Sequence, residues 1–141
     1  MQFHGAVSIS QIKLLAHETK IPAKIELYSF MPGVDGQADP QYGVSGLVNA
    51  ASSSIMFRRL GHFSLDSNEN SGYMSRELKT VHLGVTCSFF KLVLHRNHEN
   101  NYNMFNQVAL VKLQFLGRQL GDYEIQQLAQ AHALNPQQTQ R

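Results

Sequence analysis

One cysteine, Cys87, stands in a chain of 141 residues, so no intrachain disulfide can form. That fits a reducing compartment, cytosolic or nuclear. Charge is sparse and nearly balanced, with 12 Lys and Arg against 10 Asp and Glu. A net +2 argues for neither nucleic acid nor a strongly anionic surface. No apolar run approaches the roughly 20 residues of a membrane helix. MQFHGAVSIS lacks the basic start and long apolar stretch of a signal peptide, so neither a leader nor a membrane partner is expected. Catalytic signatures are missing as well: there is no GxSxG, HExxH, P-loop or GxGxxG. Cys87 heads the apolar run CSFFKLVL, where a buried thiol is inert. A non-enzymatic protein without a cofactor is expected.

What is present is alternation. A hydrophobic fraction of 43% with 16% charged residues belongs to a folded protein, and the length suits one domain. Ile12, Leu14 and Ala16 share a face, as do Ile25 and Leu27, Val81 and Leu83, and Phe90, Leu92 and Leu94. Ala109, Val111, Leu113 and Phe115 are expected to face inward. Phe57, Phe63 and Leu65 share a parity that Leu60 breaks, so a β-bulge is expected near Gly61. No long helix separates these runs, which excludes βαβ units and predicts an all-β antiparallel sandwich over 1–117. Residues 31–54 read as a long Gly/Ser-rich loop. Over 118–141, Asp122 is placed to cap a short helix with Ile125, Leu128, Ala129 and His132 on one stripe. The polar tail after it reads as disordered or as the start of a linker to further domains.

The connector between Phe89 and Gly117 stands out because it has no Gly or Pro between its two apolar runs. Turns ordinarily draw on both. His95, Asn97, His98, Asn100, Asn101, Tyr102, Asn103 and Asn106 supply hydrogen-bonding side chains instead. Asn106 and Gln107 abut the next strand and are expected to anchor the loop. His98, Asn101 and Tyr102, near its middle, are placed to touch a partner. A wholly self-bonded scaffold is the competing reading.

Other chemistry is thinner. Asp66, Asn68, Asn70 and Glu77 copy part of a calcium-loop spacing, but Ser71 occupies the position that needs glycine. His95 and His98, with His62 or His82, fall short of the four ligands of structural zinc, so no metal is expected. Arg58 and Arg59 could grip acidic groups, yet neighbours on a strand point to opposite faces.

QIKLLAH (11–17), KIELY (24–28), FRRLGHFSL (57–65), SRELKTVHL (75–83) and FFKLVLHRNHENNYNMFNQVAL (89–110) together resemble the N-terminal domain of the centrosomal protein of 104 kDa family. The resemblance runs from about Gln11 to Gly117. It implies a jelly-roll sandwich of the discoidin or galactose-binding kind, with no catalytic residues to transfer. It also implies a place at the cytoskeleton: ciliary or flagellar tip, centriole or basal body. The implied role is protein–protein docking to ciliary or centriolar partners, tubulin or microtubule-associated proteins among them. His95, Asn97, His98, Asn101, Tyr102, Asn103 and Arg58 are the expected contact residues. The alternative is a carbohydrate- or calcium-binding jelly roll, for which the absence of tryptophan removes the preferred sugar platform.

Overall fold

Alternating burial along each run sets the strands. Along β2 (Lys24–Phe30), Ile25, Leu27 and Ser29 are buried while Lys24, Glu26 and Tyr28 reach toward solvent. The computed structural model describes residues 1–35 and 56–134. Most of the connector expected over 31–54, and the tail from 135, lie outside the described residues. The remaining elements are β1 (Gln2–Ala16), β3 (Arg58–Ser64), a 3₁₀ turn (Glu69–Ser71), β4 (Leu78–Leu94), β5 (Leu110–Gln119) and α1 (Asp122–Leu134).

All strand pairs are antiparallel, in the order β3-β2-β4-β1-β5. β4 organises this sheet. Its first part pairs with β1, as far as Phe89 opposite Gln2. Its last part, Phe89 to Leu94, pairs with β2 along the other edge. One strand therefore joins the β1-β5 half of the sheet to the β2-β3 half, and side chains from both halves build the core. Ile12, Leu14, Ile25, Cys87 and Phe90 are fully buried there. Phe90 meets Phe115 of β5 edge-on, with ring centroids 5.4 Å apart. Each large side chain so buried contributes about 1.5–3 kcal/mol. The all-β antiparallel sandwich with a short C-terminal helix is what this chain forms.

The bulge expected near Gly61 is there. Leu27 pairs with Gly61 but Tyr28 pairs with Arg59, leaving Leu60 as the extra residue. Three features differ from expectation. β1 begins at Gln2, well ahead of the alternation at Ile12, Leu14 and Ala16, with irregular register around Gly5 and Ser10. Val111 is exposed rather than inward, because Leu15 pairs with Lys112 but Ala16 with Leu110, leaving Val111 as the extra residue of a bulge while Leu110 packs on the core. The helix packs through its first turn alone: Ile125 joins Ala6, Met31 and Leu120, whereas Leu128 and Ala129 face solvent. No helix among the described residues is long and apolar enough to cross a membrane.

Candidate functional site

Three connectors meet at one end of the sandwich: residues 17–23, 65–77 and 95–109. The shortest is the hub, because its backbone carbonyls have no strand partner and must be satisfied locally. Glu18 O accepts from Asn68 Nδ2 at 3.1 Å, and Thr19 O from Asn100 Nδ2 at 2.8 Å. Lys20 O accepts from the Ala109 N–H at 2.8 Å and Ile21 O from the His98 N–H at 2.9 Å. Four successive carbonyls are thus taken by the two neighbouring connectors. His17 turns the hub, its Nδ1 accepting from the Thr19 and Lys20 N–H groups at 3.1 and 3.2 Å.

The Asn/His loop is sorted by this network. Asn97 is buried and donates to His98 O at 3.0 Å and to Asn106 Oδ1 at 3.3 Å. His98 Nε2 lies 2.6 Å from Leu65 O; a carbonyl can only accept, so this nitrogen carries the proton. Asn103, only 4% exposed, clasps Gln107 from both sides. Its Nδ2 donates to Gln107 O at 2.7 Å and its Oδ1 accepts the Gln107 N–H at 3.0 Å. Asn106 takes a left-handed backbone, φ 51°, which asparagine tolerates better than most residues. Of the residues singled out in sequence, Asn97, His98, Asn103, Asn106 and Gln107 hold the loop in place.

What this fastening presents outward is apolar. Tyr102 is 71% exposed, Met104 82% and Phe105 85%. From the adjoining connector, Tyr73 packs edge-on against Tyr102 at 5.3 Å between centroids, and Met74 beside it is 88% exposed. Asn101 is also exposed. Sequence reasoning marked Tyr102 but passed over Met104, Tyr73 and Met74. The available signal was a Met-Phe pair inside an otherwise polar loop.

Two further residues lie elsewhere. His95 sits where the loop leaves β4, its Nε2 3.2 Å from Glu26 Oε1 but without the alignment of a hydrogen bond. Arg58 pairs with Ser29, five positions along β2 from Lys24, about 17 Å from the loop end. The structure does not bring it to the loop. In the 65–77 connector, Asn68 Oδ1 accepts from the Ser71 and Ser75 hydroxyls, and Glu77 Oε2 accepts the Asp66 N–H. Those oxygens tie the turn together. Among the described residues no three His, Cys, Asp or Glu side chains converge as metal ligands would.

Electrostatics single out Glu26. The Tyr28 hydroxyl and then Lys24, 3.1 Å away, hold its carboxyl down at about 2. Cys87 goes the other way, pushed up to about 11 chiefly by burial, with Asp35 adding to the rise.

Against known families, residues 1–117 match the N-terminal domain of centrosomal protein CEP104. The chain belongs to this family. Centrosomal protein of 104 kDa from Homo sapiens is 40% identical over 109 residues, 77% of this chain and 10% of the relative. Its Mus musculus counterpart is 39% identical over 116 residues, 81% of this chain and 11% of the relative. The chain therefore spans about a tenth of the length of these relatives. No solved structure shows a significant match.

Proposed function

We propose that this centrosomal-protein domain is a non-enzymatic docking module, with the loop end of the sandwich as its contact face. It would serve a protein of the ciliary or flagellar tip and the centriole. Its partners would be ciliary or centriolar proteins, tubulin or microtubule-associated proteins among the kinds expected. One observation carries the reading. Exposed Tyr102, Met104 and Phe105 ride on a loop whose own Asn and His side chains fasten it to two neighbours. Exposing adjacent large apolar groups costs solubility without helping the fold, and aromatic and methionine side chains are the ones enriched in interfaces. A pre-ordered loop also loses little conformational entropy on binding. The helix and tail over 118–141 would lead from this module toward further domains.

The test is localisation of the tagged full-length parent protein in ciliated cells, wild type against Met104→Ser with Phe105→Ser. These side chains contribute little to the core, so folding should persist and signal at the tip or centriole should weaken. Unchanged localisation together with unchanged partner recovery would refute the loop as the contact face.

A further inference from the structure

A second surface lies away from the loop end, on the outer face of the sheet where β3, β2 and β4 run side by side. Register places Arg59, Tyr28 and Lys91 side by side across three strands, because Tyr28 pairs with Arg59 on one side and Lys91 on the other. Paired positions in a sheet point to the same face. Contacts agree: Lys91 Nζ lies 4.9 Å from the ring centroids of both Tyr28 and Phe57, and Arg59 Nη2 lies 3.1 Å from His62 Nδ1. Neither Arg59 nor Lys91 has a carboxylate within ion-pair distance among the described residues.

The acidic group on this face, Glu26, is already engaged by the Tyr28 hydroxyl and Lys24. Among the described residues it therefore leaves the two cations without an acidic partner. We infer that this face binds an acidic, extended segment of a partner protein, with carboxylates on Arg59 and Lys91 and the chain lying across Tyr28. Arg59 and Lys91 sit two strand spacings apart, about 10 Å, a span reached by acidic groups two or three residues apart. Guanidinium takes carboxylate in a bidentate fork, and the aromatic rings hold the lysine stem in place. Nucleic acid and anionic membrane fit less well. Both reward many cations in a row, and here a carboxylate sits mid-face in a chain of net charge +2.

The test titrates the domain into a fluorescein-labelled oligo-glutamate peptide and follows anisotropy at about 0.05 M and about 0.5 M salt. Oligo-lysine, a single-stranded oligonucleotide and phosphatidylserine vesicles run in parallel. The expected result is binding to oligo-glutamate that weakens with salt. Arg59→Glu with Lys91→Glu should cost at least about tenfold in Kd, and the milder Arg59→Gln with Lys91→Gln a smaller loss. Circular dichroism and melting curves keep misfolding separate from lost binding. Phe105→Ser should leave this binding intact, so the inference stands or falls apart from the loop reading. It is overturned if oligo-glutamate does not bind, if the folded double-Gln and double-Glu variants bind within about twofold of wild type, or if only the oligonucleotide or the vesicles bind.

Discussion

Asn103→Ala cuts the clasp that closes the exposed tip of the loop. The side chain is buried and makes two hydrogen bonds, both to the backbone of Gln107. Neutral bonds of this kind contribute about 1 kcal/mol each in net terms. Gln107 is exposed, so water can reach its freed N–H and C=O, and the larger penalty of a dry unpaired group does not apply. The expected loss is about 2 kcal/mol, or roughly 6–8 °C in Tm for a domain of this size. Asn103→Asp keeps the acceptor but turns the donor into an oxygen facing Gln107 O, so its cost should match or exceed that of alanine. Urea unfolding gives the free energy, and amide hydrogen exchange at Gln107 gives the local effect. A change below about 0.5 kcal/mol, within the range of ordinary surface substitutions, with Gln107 still protected, would show that the clasp does not hold the loop.

Gly117→Ala should be costly, because a Cβ there would lie 1.9 Å from Ser8 O in the backbone of β1. Strand β5 would have to move, and about 2–3 kcal/mol lost in urea unfolding is expected, with less than about 1 refuting the close approach. Glu26 has its folded pKa depressed to about 2 from 4.5, so it stabilises the fold above 4.5 and that contribution disappears as pH falls toward 2. Stability measured across this range should fall less steeply in Glu26→Gln than in wild type, and parallel curves would count against the assignment. The Cys87 thiol, pushed up to about 11 by burial first and Asp35 second, should resist a thiol reagent at about pH 8 until denaturant is added. Prompt labelling of the native protein would contradict its placement.

Strand positions were legible wherever apolar residues recur at every second place, as at Ile25 and Leu27 of β2 and at Val81 and Leu83 of β4. Even the bulge at Gly61 could be read, because one extra residue flips the parity of all that follow. The start of β1 could not be read: His4 and Gly5 interrupt the pattern, and Gly5 takes a φ of 93° that marks an irregular edge. β4 looked like two strands because its inward set switches parity, from Val81, Leu83, Val85 and Cys87 to Phe90, Leu92 and Leu94. In the loop, composition announced order but not roles. Nothing local distinguishes buried Asn103 from exposed Asn101, since which asparagine turns inward depends on where the other connectors lie. The Arg59–Tyr28–Lys91 row was equally hidden, because it exists only once the registers of three strands are known.

Placing β4 between β1 and β2 has a consequence for synthesis. Among the described residues, β1 pairs with β4, from Leu78 onward, and with β5, from Leu110 onward. A ribosome adds about 5–20 residues per second. The stretch from the end of β1 to the end of β4 therefore takes on the order of 4–16 s, during which the first strand has been made but neither ladder partner is complete. Through that interval the nascent chain carries an apolar ribbon with unsatisfied edges, a natural substrate for a chaperone.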